Sequence, residues 1–319
     1  MSIKTITEFG CIVILLIGTA LLASCSGISY SGGKDAVLAG DSFEAPEIIG
    51  RITSDEITES SGLTVSKCQA NVFWTLNDSD RGPFIYAIDA TGKKLGTWRV
   101  FGATNVDWED MASVKTSTGE CFIYISDAGD NEMKRDAYAI YRLREPSNAG
   151  KATASSKDDP LVTEEADVLR FIFSGGQQNS EALLVHPSTN EMYVVSKQFN
   201  GPAKVFKLKP NFDTREIQTA ETVAAVSLPA IPNGLVTGGD ISPDGKHVVL
   251  CDYYSGYELI LPKGAAKFDD IWSEKPAAFD LGPREFGEAV SFGEDGNAVF
   301  ATTEKSNPPL IRVRRKKIK

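Results

Sequence analysis

The chain has 319 residues, with 43 acidic against 33 basic side chains, 2 histidines and a formal net charge of −10. A surface of that sign repels nucleic acid and favours divalent cations. Its 28 glycines and 15 prolines, its short apolar runs and the near absence of helical spacing point to one all-β domain.

At the N-terminus Lys4 precedes an apolar run over residues 11–22, which ends in Leu22-Ala-Ser-Cys25. A charged start, an apolar stretch too short to span a bilayer and small residues before the cut describe an export signal. The motif resembles the lipobox of bacterial lipoproteins, in which Cys25 becomes the lipidated first residue. The expected organisation is therefore a leader over 1–24, a polar tether over 25–44 and a folded domain over 45–319, held to the membrane through Cys25. Ser26 after the cysteine is similar to the outer-membrane sorting pattern, so the cell envelope is the expected location, at the outer membrane if the cell has one.

From residue 45 onward one unit recurs. An acidic residue stands ahead of a short strand at Glu59-Ser-Ser-Gly-Leu, Glu109-Asp-Met-Ala, Glu181-Ala-Leu-Leu, Asp240-Ile-Ser-Pro and Glu288-Ala-Val-Ser. After each come a turn, a second apolar strand and a polar loop. The turns Asp244-Gly245 and Asp295-Gly296 carry the residues a tight hairpin needs. Four-stranded units of roughly 40 to 50 residues predict a β-propeller of antiparallel blades. Five are counted, and six smaller blades are the alternative. The last unit lacks a fourth strand, which residues 47–53 can supply to close the ring and remove two sheet edges. The polar stretch 147–165 reads as a surface insertion, since Lys, Ser, Ala and Asp without periodicity do not build core. Trp74, Trp98, Tyr86 and Phe101 read as blade packing, whereas Trp108 lies between two acids.

Once Cys11 is lost and Cys25 acylated, Cys68, Cys121 and Cys251 remain. Cys68 and Cys121 occupy matching places in adjacent units, so that a bridge and two free thiols are both open; Cys251 reads as core. His186 and His247 flank turns on the face opposite the acids, and no Gly-x-Ser-x-Gly elbow is present. Nucleophilic catalysis by a triad is therefore not expected.

In a propeller, the loops entering the inner strands and those leaving the second strands open on one face. The first set brings Glu59, Asp107, Glu109, Asp110, Glu181, Asp240 and Glu288, and the second brings Asn77, Asp78, Asp80, Asp127, Asp130, Asn131, Asp252 and Glu304. Two carboxylates about 6 Å apart repel by roughly 3 kcal/mol at an effective dielectric near 20, so such a ring needs protons, a basic partner or a cation. Hard oxygen donors without histidine favour Ca²⁺ or another divalent cation. The expected ligands are drawn from Glu59, Asn77, Asp107, Glu109, Asp127, Asn131, Glu181, Asp240 and Glu288. The competing reading makes these residues turn caps and channel-lining acids bound to backbone amides.

The strings Leu76-Asn-Asp-Ser, Asp107-Trp-Glu-Asp, Asp127-Ala-Gly-Asp-Asn, Thr237-Gly-Gly-Asp-Ile-Ser-Pro-Asp-Gly and Gly287-Glu-Ala-Val, with the acidic motifs above, resemble a group of exported bacterial propellers. More remotely they are similar to the calcium-dependent phosphotriesterase-like, phytase-like and TolB-like propeller superfamily. That resemblance implies a propeller, usually with six blades, and a metal held by Glu59, Asn77 or Asn131, and Asp240. Two functions follow. In one, the face is a binding module for a protein, glycan or small anionic ligand. In the other, a metal-dependent hydrolase acts on esters, lactones or phosphoesters, with Glu109 or Glu288 as general base and Lys197 or Lys305 steering the anion.

Overall fold

The computed structural model describes residues 42–78, 81–151, 154–212 and 215–317; the leader, Cys25, the tether up to residue 41 and Asp80 lie outside them. Among the described residues no helix is long and apolar enough to cross a membrane. Strand β1 (Glu47–Arg51) comes first. It is followed by β2 (Ser60–Val65), β3 (Phe73–Asn77), β4 (Phe84–Ile88) and β5 (Lys94–Phe101), which pair in order as an antiparallel meander. The next meander comprises β6 (Trp108–Lys115), β7 (Cys121–Asp127), β8 (Tyr138–Arg144) and, after β9 (Leu161–Glu165), β10 (Asp167–Phe173). Two more follow: β11 (Ser180–Val185), β12 (Met192–Ser196), β13 (Ala203–Leu208), β14 (Gln218–Val226), then β15 (Gly238–Ile241), β16 (His247–Cys251), β17 (Ser255–Ile260), β18 (Ala277–Asp280). The last, β19 (Gly287–Phe292), β20 (Ala298–Thr303) and β21 (Pro309–Arg314), takes β1 as its outer strand, antiparallel to β21. The expected closure by residues 47–53 is thus present.

The first strands of the meanders, β2, β6, β11, β15 and β19, each lie against the next, and β19 lies against β2. This is the ring of inner strands of a propeller. Apolar layers fill the space between consecutive meanders. Strand β16 shows why the sequence builds them: Val248 and Leu250 face one neighbouring layer, Val249 and Cys251 the other. Side chains alternate along a strand, so a strand buried on both faces reads as an unbroken apolar run. The tight turns form as expected, with Gly245 and Gly296 at φ 68° and 69°, the left-handed region glycine enters without steric cost.

The stretch 147–165 carries a strand, mostly exposed: β9 pairs parallel with β5, and Thr163 Oγ1 accepts from the Phe101 amide at 3.0 Å. A short β-rich run next to an unpaired outer edge finds a partner there. Strands β10 and β14 also pair in parallel, joining two meanders into one eight-stranded sheet. Phe101 is exposed rather than packed within its blade, because it ends β5 beyond the apolar layer. Cys68 and Cys121 form a disulfide and Cys251 is a buried free thiol.

Candidate functional site

The inner strands begin on one face, here the upper face, and four of them share a defect at the second residue. In β2, β6, β11 and β19 the register slips past Ser61, Glu109, Glu181 and Glu288. A bulge inserts one residue without a partner and re-aims its side chain. Three of the four bulged residues are therefore glutamates pointing into the same channel mouth, and a carboxylate oxygen from each lies within 4.8 Å of the others. Strand β15 pairs without a slip, and no acid occupies the corresponding place.

A second layer comes from the residues that leave the second strands. The amides of Asp78, Lys197 and Glu304 donate to the carbonyls of Glu59, Asn179 and Phe286 at 3.1, 3.0 and 3.1 Å, which makes the three positions equivalent. Asp78 joins Asp107 and Glu109 in a further group of oxygens within 4.8 Å. Asn105 Nδ2 holds the Asp78 loop through the carbonyls of Asn77, Asp78 and Gly82 at 3.3–3.4 Å. Gly129 closes the wall, since a Cβ there would fall on the carboxylates of Glu109 and Asp107.

Charge divides this mouth into two halves. Lys197, 9% exposed, lies 3.0 Å from Glu181 and 3.7 Å from Glu288. Burial works against its charge, but Glu181 and Glu288 outweigh that and hold the ammonium above its ordinary range. Asn179 Nδ2 adds a bond to Glu181 at 2.9 Å. Glu288 is pushed well up, by burial first and then by Glu181, and Glu304 beside it is raised by burial too. The other half has no lysine among the described residues, and its cation, Arg135, is paired with Asp127 and only opposes the rise of Asp107. Glu109 is 2% exposed and its Oε2 accepts no hydrogen bond from any described residue. Burial, then Glu181, Asp78 and Asp107, push its carboxyl well up. Asp107 is raised to about 7 by burial, with Asp78 and Glu181 adding to the effect.

Several expected site residues lie elsewhere. Glu59 is two residues short of the bulge and takes a bidentate bond from Arg81 at 2.7 and 2.9 Å. Asp240 lies on the unbulged strand, below the mouth. Its oxygens accept from the Ile241 and Phe292 amides and the Ser291 hydroxyl. Asp110 does the same for the Met111, Leu183 and Gly239 amides. These two staple inner strands together by capping their inward N–H groups. Asn77 Oδ1 accepts from the Thr58 and Glu59 amides at 3.1 Å. Asp127 pairs with Arg135 at 2.8 Å and accepts from the Asp107 amide at 3.1 Å, so it positions Asp107. Asn131 accepts from Asn179 at 3.0 Å. Lys305 is exposed, over the Phe286 ring and 3.6 Å from Glu285. Trp108 is fully buried and donates to the Thr104 carbonyl. His247 pairs with Glu258, away from the acids. Each of these residues has its partners within the fold. The pattern of an acid ahead of each inner strand does not mark Asp78 as a ligand, nor Asn179 and Gly129 at all. Counting one residue past the end of each second strand gives Asp78, Ala128, Lys197, Asp252 and Glu304, a set that includes the three but does not separate them from Asp252.

The chain matches no family model and no curated protein. Many solved structures resemble it, and two serve as examples. A nidogen/laminin complex shows 15% identity at a TM-score of 0.42, covering 77% of this chain and 72% of that one. The soluble aldose sugar dehydrogenase of Escherichia coli in its apo form shows 10% identity at 0.45, covering 85% and 99%. Likeness at this level carries no argument about activity.

Proposed function

We propose that the chain is a five-bladed propeller, lipid-anchored at Cys25 in the cell envelope, whose acidic mouth takes up a divalent cation, Ca²⁺ by its donor set. With that cation it presents the upper loops to a protein, glycan or small anionic partner. The Glu109 Oε2 atom carries the reading: a buried carboxylate oxygen without a donor costs free energy unless something positive faces it. Lys197 already neutralises the side of Glu181 and Glu288. The place for the cation is therefore among Asp78, Asp107 and Glu109, which supply oxygen donors only, as Ca²⁺ and Mg²⁺ require.

Calorimetry and melting of metal-stripped protein test this. Calcium at a hundred times its dissociation constant stabilises by about 2.7 kcal/mol, which is roughly 5–10 °C for a domain of this size. Glu109→Gln is expected to abolish the shift while raising the melting temperature of the stripped protein. A melting temperature indifferent to calcium and chelator in the unaltered chain would exclude the metal.

One observation favours hydrolysis as a second reading. Burial and Glu181 push the Glu288 carboxyl well up beside the site, and a carboxyl so raised can act as acid or base. A bound divalent cation would supply polarisation of an ester or phosphoester oxygen. Against it, Lys197 is engaged by two glutamates and Lys305 lies outside the mouth, so neither is placed to steer an anion. Turnover of ester, lactone or phosphoester substrates that vanishes with chelator and in Glu288→Gln would decide for this reading; its absence, with calcium binding intact, decides for the binding module.

A further inference from the structure

The same five inner strands end on the lower face around a second cavity, of about 200 Å³. Lys67 comes from the turn after β2, Ser113 and Val114 from the end of β6, Val185 from β11, Ile241 from β15 and Glu294 from the turn after β19. The cavity is on the axis, below the Asp110 and Asp240 staples: Ile241 directly follows Asp240, and Ser113 stands three residues beyond Asp110. Lys67 is 9% exposed, and its ammonium donates to the Phe292 carbonyl at 3.2 Å. Among the described residues no carboxylate comes within ion-pair distance of it, although an ammonium has three protons to donate. The Ser113 hydroxyl, also buried, makes no hydrogen bond to any described residue. Burial pulls the Lys67 ammonium below its ordinary range, while Asp240, Glu294 and Glu145 hold it up from beyond ion-pair distance; with the unpartnered Ser113 hydroxyl, the valine, isoleucine and proline walls, and Lys115 and Glu294 at the rim, the cavity has the composition of a small-molecule site. The volume lies below the roughly 300–1,000 Å³ of sites for drug-sized ligands, which limits the occupant to a few non-hydrogen atoms.

We propose that this lower vestibule binds a short-chain organic carboxylate. The Lys67 ammonium and the Ser113 hydroxyl hold its carboxylate group, and Val114, Val185 and Ile241 cover its apolar part. An anion supplies the close ion pair that the more distant Asp240, Glu294 and Glu145 do not make with Lys67, and the apolar walls favour a carboxylate with a short alkyl chain over a bare inorganic ion. The site is separate from the acidic mouth and does not rest on its metal.

Calorimetric titration of the full chain tests it, with butyrate, its uncharged amide butyramide, and inorganic phosphate as probes. Butyrate is expected to bind saturably, and the other two at least about tenfold more weakly, the difference a charged hydrogen bond makes. Lys67→Met should lose roughly tenfold or more in butyrate affinity, and Ser113→Ala about threefold. No saturable heat with butyrate, phosphate binding as tight as butyrate, or unchanged affinity in Lys67→Met each overturns the proposal. If Lys67→Met fails to fold, Ser113→Ala decides, and unchanged affinity there also overturns it. Calcium titration of the same samples reports on the upper mouth alone, so either site can fail without the other.

Discussion

Lys197 is the residue on which the acidic mouth depends most. It is the cation for two buried carboxylates, and removing one member of such a set leaves uncompensated charge. Lys197→Met is expected to lower stability by about 3–5 kcal/mol in urea unfolding near pH 8, and by less near pH 5, where Glu288 can hold a proton. An equal loss at both pH values would show that the ammonium acts by packing alone. Asp107 gives a second pH signature. Its carboxyl is raised from 3.8 to about 7, so between those values the folded chain holds a proton that the unfolded chain releases. Its contribution is complete below pH ~4 and is lost as pH rises through about 7. Without divalent cation, the melting temperature of the unaltered protein should therefore fall across that window more steeply than that of Asp107→Asn. Added calcium should counter the fall.

At the scale of elements, the bulges explain which acids converge. Sequence spacing made Glu59, Glu109, Glu181, Asp240 and Glu288 look equivalent, because each precedes a similar apolar run. Pairing register separates them: Glu109, Glu181 and Glu288 are the bulged residues, Glu59 falls two positions early, and Asp240 is on a strand with no bulge. A single slipped residue turns a side chain from one face to the other, and no residue type announces a bulge in isolation. The strands and their turns were legible because alternation, apolar runs and Asp-Gly pairs are local signals. Strand β9 was not, since its pairing depends on an edge supplied from some sixty positions earlier. The bridge between Cys68 and Cys121, 53 residues apart, ties the lower turns of two neighbouring meanders. Closing a loop of that length contributes about 4 kcal/mol in the chain-entropy account. Reduction, or the pair Cys68→Ser and Cys121→Ser, should lower the urea midpoint by a corresponding amount; an unchanged midpoint would mean the thiols are free in solution.

Across the whole molecule, the closed ring sets the direction in which the chain enters and leaves. Strand β21 descends from the upper to the lower face, and β1 climbs beside it. The Glu44 amide donates to the Arg314 carbonyl and the Lys316 amide to the Ser42 carbonyl, so both ends of the described chain meet at the lower rim. Whatever precedes residue 42 therefore reaches the disc at that lower rim, on the face that carries the Lys67 vestibule and opposite the one that carries the mouth carboxylates.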